Sequence, residues 1–428
     1  MPLLLDLTPL RVNPSYRRLY SGFTVSGVGA QLATVAIGLQ VYDITGSSFA
    51  VGLVGLCALG PIILMGLYGG ALVDAHDRRT VALVAGAVLW CGSMLNTVQA
   101  LLGNTHVGVL YALVAVYNAG FAVVSPARSA IYPRLLEDAL LPAANALNVA
   151  AMNIAMTVGP LLAGVLVDWG GYAVAYGVDT GLFAFAIWGL LRLEPIPPEV
   201  DPLSDAGVPR RRPGLTSVLD GLKFLGSRPN LRMTFLADFC AMILAQPRAL
   251  FPAVAMLAFG GGAKTVGFMS AAVAVGAMAA MFFSGRLGGI RRQGLAVVVS
   301  VALWGVSIAG FGVSVALADG LLTRTQALWC GAAALACAGA ADSVSSVFRT
   351  TILQAATPDH LRGRLQGVFI VVVAGGPRLG DLVAGTGAAA YSEAFAAVAG
   401  GVLCVVAVLA LGAWQRGFLR YDARSPTP

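Results

Sequence analysis

A chain of 428 residues that is 58% hydrophobic and only 11% charged, with a mean hydropathy of +0.81, falls far short of the roughly 25% charged residues that cover a soluble domain. No long window is polar enough to supply a separate soluble domain, so the solvent this chain is built for is a lipid bilayer. The net charge of +7, from 27 Lys and Arg against 20 Asp and Glu, reads as insertion bias and not as a nucleic-acid surface, because of where the basic residues stand.

Residues 1–18 hold one short apolar cluster interrupted by Asp6, with no charged leader and no small-residue cleavage site. The first hydrophobic helix is therefore expected to direct insertion and to stay in the protein. A spanning helix takes about 20 predominantly apolar residues. Divided at charged or Gly/Pro-rich breaks, the apolar stretches predict twelve such helices, over 19–42, 49–73, 80–102, 107–127, 143–167, 172–193, 231–259, 266–287, 294–318, 326–348, 365–390 and 393–414. No Asp, Glu, Lys or Arg occurs between Arg79 and Arg128, and Gly103-Asn104-Thr105-His106 supplies the turn between the third and fourth helices. All 6 cysteines, Cys57, Cys91, Cys240, Cys330, Cys337 and Cys404, fall inside apolar runs without paired spacing and read as small core residues.

Between the sixth and seventh helices, the polar stretch 194–230 carries Pro195, Pro197, Pro198 and Arg210-Arg211-Arg212. Leu215, Val218, Leu219, Leu222 and Leu225 recur there at helical spacing and predict a short amphipathic helix on the inner membrane surface. The expected organisation is a six-helix bundle over 1–193, a cytoplasmic linker over 194–230 and a second six-helix bundle over 231–428.

Lys and Arg are retained on the cytoplasmic side during insertion. With the amino terminus inside, 23 of the 27 basic residues fall in cytoplasmic segments, Arg128 and Arg349 among them. Only Lys264 and Arg324 lie outside, and Arg248 and Arg378 fall within the seventh and eleventh helices. Both termini are therefore expected to be cytoplasmic. The halves also echo each other, as an internal repeat does. Val51-Gly52-Leu53 and Gly70 match Val266-Gly267-Phe268 and Gly285 at an offset of 215, and Gly159-Pro160 matches Gly376-Pro377 at 217.

At the inner end of the second helix, Gly70, Asp74, Arg78 and Arg79 place a small residue beside an acid and two arginines that can pair across a tight turn and latch a gate. The arrangement resembles the signature loop of the major facilitator superfamily, with Ala75 where that loop has a basic residue and Asp77 where it has Gly. Gly159-Pro160-Leu161-Leu162-Ala163-Gly164 combines a helix-bending proline with small residues, among them Gly164, that admit a neighbour. It resembles the antiporter motif of the same superfamily. Asn13-Pro14-Ser15-Tyr16-Arg17, Arg248-Ala249-Leu250-Phe251-Pro252-Ala253, Thr357-Pro358 and Gly363-Arg364 resemble the enterobactin-exporter-like branch of bacterial efflux proteins.

What these resemblances imply is an all-α membrane protein of two pseudo-symmetric six-helix bundles around a midplane cavity, exporting a siderophore or hydrophobic drug-like compound on the proton motive force. They also imply that helices one, four, seven and ten line the cavity, which would bring Gln31, Asn118, Asp238 and Arg248 around it. The arginine common on the fourth helix of proton antiporters has no counterpart in Val116-Tyr117-Asn118-Ala119-Gly120, so a proton relay must use other residues.

Six charged side chains fall inside the predicted spans: Asp179, Asp238, Arg248, Asp342, Arg378 and Asp381. Each costs a few kcal/mol at mid-membrane unless paired or hydrated. Arg378 and Asp381, three residues apart on one face, are expected to neutralise each other or to act as a moving relay. Asp179 and Asp342 lie within two turns of a helix end, where a carboxylate can snorkel or cap. Asp238 and Arg248 are separated by about 15 Å of helical rise and cannot pair directly. Asp238, read as an unpaired acid, is expected to carry the coupling proton, with Asp179 and Asp381 as the next candidates. Arg248 suits an anionic or catecholate substrate, with packing polarity as the alternative.

His76, His106 and His360 are scattered in loops, and Gly260-Gly261-Gly262-Ala263-Lys264-Thr265 lacks the glycine before lysine of a phosphate loop. No metal, cofactor, enzymatic or ATP-driven chemistry is expected. The expected partners are a small-molecule substrate, protons and the bilayer, with the monomer as the working unit. The rival readings are a facilitator or importer, and a non-transporting scaffold or receptor.

Overall fold

The computed structural model describes residues 6–197, 225–226, 228–282, 290–356 and 359–422, and at 67, 69–71, 74, 138, 282 and 354–374 it describes the backbone alone. Apart from Leu225, the amphipathic linker helix lies outside these residues, as do Arg210-Arg211-Arg212, Gly285, Thr357-Pro358 and the side chains of Asp74 and Arg364.

Ten helices among the described residues are long and apolar enough to cross a membrane. In chain order the helices are α1 (Pro14–Thr45), α2 (Ser48–Ala75), α3 (Arg78–Leu101) and α4 (Val107–Leu135). Leu141–Leu191 is divided by Gly171, whose φ of 72° is reachable without strain only for glycine, into α5 (141–170) and α6 (172–191). Then follow α7 (Pro229–Ala258), α8 (Ala263–Phe282), α9 (Gln293–Ala316), α10 (Arg324–Ala356), α11 (Asp359–Ala390) and α12 (Glu393–Trp414). With Leu141–Leu191 read as two spans and α11 included, the arrangement is consistent with twelve.

Several helices run beyond the apolar stretches that predicted them. α4 continues to Leu135 and α10 to Ala356, because a helix keeps its hydrogen bonds through the headgroup layer where apolar residues run out. Arg128 and Arg349, counted above as loop residues, are therefore helical, and Arg349 is buried. The cysteines also differ from expectation. Cys240 and Cys404 are buried, whereas Cys91, Cys330 and Cys337 are exposed on their helices.

α7 is not a continuous α-helix. It is α-helical to Phe239, widens to a π turn over Cys240–Leu244, opens at Ala245 and resumes as a 3-10 turn over Arg248–Leu250. Pro247 and Pro252 cannot donate to the ladder, which accounts for the break. The Ala245 carbonyl accepts instead from Trp304 Nε1 at 3.2 Å.

By packing, the chain divides into two units. One comprises Met1–Ala36 with Cys57–Thr216, and the other Ile37–Leu56 with Ser217–Pro428. In the first, glycines bring α1 close to its neighbours: a Cβ at Gly22 would stand 3.0 Å from Ala186 Cα, and one at Gly189 3.1 Å from the Arg18 carbonyl. Asn13 caps α1 by accepting from the Tyr16 amide at 3.0 Å, and its own amide nitrogen donates to Leu135 O at 2.5 Å. Tyr16 is fully buried against Tyr132. In the second unit the start of α2 packs on α11, where a Cβ at Gly55 would stand 2.8 Å from the Arg378 carbonyl. There Ser48 donates to Glu393 at 3.0 Å. Small residues are the means by which helix backbones approach in a bilayer, where there is no hydrophobic drive between helices.

Candidate functional site

At the α2–α3 turn, Asp77 is the N-cap of α3, its carboxylate accepting from the Thr80 amide at 2.7 Å and the Thr80 hydroxyl at 2.8 Å. Burial pushes the Asp77 carboxyl up, but the Thr80 hydrogen bonds and Arg79 outweigh it and hold the group below its ordinary value. This is the physical use of an acid where the superfamily loop has glycine. The arginines tie the turn to other helices. Arg78 donates to Ala130 O at 3.3 Å in the last turns of α4, and Arg79 caps α6 by donating to Leu191 O at 2.9 Å, where free carbonyls collect negative potential. Gly70 and the Asp74 side chain lie outside the described side chains.

The glycine-proline motif of α5 faces α1. Gly159, Pro160 and Gly164 are buried. A Cβ at Gly159 would stand 2.8 Å from Val28 O and 2.5 Å from Gln31 Cβ, so only glycine fits without displacing α1. Gln31 is thus placed beside the motif. Asn118 is buried on α4, with its amide nitrogen donating to Val114 O of its own helix at 2.8 Å.

Asp179 neither snorkels nor caps. It is 1% exposed, and its Oδ2 accepts from Ser93 Oγ at 2.5 Å. Its Oδ1 is buried without a hydrogen-bond partner and lies against Gly29 of α1. Ser93 and Thr97 of α3 each stand 3.0 Å from Thr180 Oγ1, and Trp90 Nε1 donates to Thr180 O at 3.1 Å. Among the described residues no cation pairs with Asp179.

The second unit gathers the remaining embedded charges. Asp238 is not unpaired: Arg349 of α10 forms an ion pair with it, and the same guanidinium reaches Asp342 at 3.3 Å. One arginine therefore holds two acids, on α7 and α10, and Asp342 is part of this bridge. Arg378 and Asp381 influence each other electrostatically but make no ion pair within 4 Å among the described residues. Asp381 Oδ1 is buried without a hydrogen-bond partner. Arg248, at the α7 break, is exposed and within electrostatic reach of Asp342, Arg378 and Asp381. Three arginines and three acids thus share one region, in which Arg248 is the exposed arginine and Arg349 the buried one.

A family model described as transmembrane secretion effector matches residues 5–417. The chain belongs to this family of the major facilitator superfamily. Within the family it is similar to enterobactin exporters EntS: 29% identical over 412 residues to that of Salmonella paratyphi A, covering 95% of this chain and 94% of the relative. The Citrobacter koseri protein is 29% identical over 410 residues, covering 95% and 93%. Among solved structures the fold is similar to a bacterial homologue of the iron transporter ferroportin in an inward-facing state (TM-score 0.67, 14% identity, 93% of this chain and 98% of that one). It is also similar to the POT family transporter PepTSo (TM-score 0.71, 12% identity, 95% and 98%). The family is one of multi-pass membrane transporters, and the all-helical fold is that of the superfamily.

Sequence reading missed three residues. Arg349 falls one residue past the apolar stretch 326–348, although Asp342 and Arg349 stand seven apart on one helix face. Ser93 belongs to a buried polar stripe with Asn96 and Gln99 on an otherwise apolar helix. Gln246 is related to Gln31 by the repeat offset of 215, and a Cβ at Gly380 of α11 would stand 2.7 Å from its Cβ.

Proposed function

We propose that this protein is a proton-driven exporter of a small anion-bearing molecule of the siderophore kind, working by alternating access in the cytoplasmic membrane with both termini inside. The observation that carries the reading is Arg248. It is an exposed guanidinium without a partner within 4 Å among the described residues, set on a helix break in a region whose three acids lie within reach of two other arginines. A charge kept there at a cost of a few kcal/mol needs a use, and an anionic or catecholate oxygen is the partner a guanidinium fork fits. The likeness to enterobactin exporters along 95% of the chain supports the same substrate class. One proton crossing the membrane potential supplies about 2.3 kcal/mol per 100 mV, roughly a fiftyfold substrate gradient.

In inside-out proteoliposomes, a catecholate siderophore should accumulate in the lumen when the lumen is acid, and should only equilibrate when the pH gradient is collapsed. Arg248→Ala should raise the half-saturating substrate concentration at least about tenfold, the loss of a charge-assisted hydrogen bond. Equal accumulation with and without the gradient would mean a facilitator or another driving ion, and unchanged saturation in Arg248→Ala would remove Arg248 from the substrate site.

A further inference from the structure

We propose that Asp179 is the proton-binding site of the transport cycle, loaded along a chain of hydroxyls formed by Thr97, Thr180 and Ser93. This rests on the reading of proton-driven export above and adds to it a location in the first unit, on other helices than Arg248.

The other embedded acids have cations to balance them. Asp238 and Asp342 share Arg349, and Asp381 lies within reach of both Arg378 and Arg248. Asp179 alone among these four has, among the described residues, only neutral groups around it: the Ser93 hydroxyl on α3, Gly29 on α1, and the phenols Tyr117 of α4 and Tyr176 of α6 within electrostatic reach. A bare carboxylate in the spanning region is costly, and binding a proton removes the charge. As the anion it is held by Ser93 at 2.5 Å, the length of a charge-assisted O–H···O⁻ bond.

The route follows from the hydroxyls. Thr97 Oγ1 is 3.0 Å from Thr180 Oγ1, Thr180 Oγ1 is 3.0 Å from Ser93 Oγ, and Ser93 Oγ is 2.5 Å from Asp179 Oδ2. Thr180 Oγ1 also donates to Tyr176 O at 2.9 Å and Thr97 Oγ1 to Ser93 O at 3.2 Å. Once these two turn from their carbonyls to their neighbours, each hydroxyl can accept a proton from one side and pass its own to the next, so one proton entering at Thr97 leaves one on Asp179 and every hydroxyl restored. Ser93 is buried and Thr97 half-buried, one turn nearer the 102–106 turn that joins α3 to α4, which the proposed orientation places outside. Oδ1 lies against Gly29, where a Cβ would collide with it. Movement of α1, the helix that also carries Gln31, is therefore felt directly at the carboxyl group.

The test is pH-titrated infrared difference spectroscopy on the purified full-length protein in lipid nanodiscs, read alongside uphill export and counterflow in proteoliposomes. The wild type should show a titrating carboxylic-acid carbonyl band. Asp179→Asn should lose that band and uphill export while counterflow persists, and Asp238→Asn should retain the band. Ser93→Ala should keep the band but shift it, since it removes the hydroxyl held at 2.5 Å, and it serves as the readout if Asp179→Asn fails to fold. A titrating band that survives in Asp179→Asn, or that Ser93→Ala does not move, overturns the proposal. So does uphill export by Asp179→Asn driven by the pH gradient. If the wild type itself exports without regard to the gradient, the proton-driven reading fails first.

Discussion

Replacing Arg349 with alanine is expected to lower the amount of folded protein about tenfold or more, with transport per molecule falling as well. Arg349 is 6% exposed and holds Asp238 and Asp342 together across α7 and α10. Removing it strands the Asp238 carboxylate in the spanning region and leaves Asp342 only the more distant Arg248. Breaking a buried pair by deleting one partner costs roughly 3–5 kcal/mol, whereas neutralising both partners is close to neutral. Arg349→Ala combined with Asp238→Asn should therefore recover part of the loss, and with the Asp238→Asn single variant it closes a double-mutant cycle that measures the coupling. Thermal unfolding in detergent and membrane abundance are the measurements. A single variant as stable as wild type, or strictly additive losses, would mean that the bridge carries no energy.

Gly159→Ala should damage counterflow and uphill export together. The added methyl would meet the Val28 carbonyl at 2.8 Å and Gln31 Cβ at 2.5 Å. Both belong to α1, and a backbone cannot swing away as a side-chain end does. Separating helices in a bilayer forfeits close packing that nothing else replaces, so a loss of severalfold in both assays is expected. Gly181→Ala, with nothing within 4 Å, is the matched control and should behave as wild type. The pairing of effects distinguishes this packing role from a coupling role, in which uphill export alone is lost. If Gly159→Ala exchanges substrate at the normal rate, the close approach of α5 to α1 is not needed for the motion.

Much of the fold was legible because a bilayer imposes one rule, that a spanning backbone must satisfy itself within helices. The turn at Gly103-Asn104-Thr105-His106 fell where it was read: α3 ends at Leu101, Gly103 has φ 64° and α4 starts at Val107. The ends of α4 at Leu135 and α10 at Ala356 were less legible, since hydropathy registers the hydrocarbon layer and not the turns that continue past it. That is why the apolar pattern places Arg349 in a loop and offers Asp238 no partner. The α7 break was written in Pro247 and Pro252, yet which helix would supply Trp304 to the freed carbonyl depends on packing. Asp179 was visible as an embedded acid, but its burial was not. Position near a helix end suggests solvent, whereas packing against Ser93, Gly29 and Thr180 leaves it 1% exposed. The signature-loop arginines were recognisable by spacing, while their bonds to the ends of α4 and α6 are long-range and leave no local trace.

The central claim is that substrate leaving the cytoplasm and a proton entering it are moved by one cycle. The most direct measurement is proton movement driven by substrate in proteoliposomes that hold the full-length protein, with no imposed pH gradient and the membrane potential clamped at zero. Downhill flow of a catecholate siderophore should drive protons the opposite way, recorded by a trapped pH dye, and Asp179→Asn should abolish the signal while substrate still flows. Substrate flow through the wild-type protein with no proton movement at all would contradict the account.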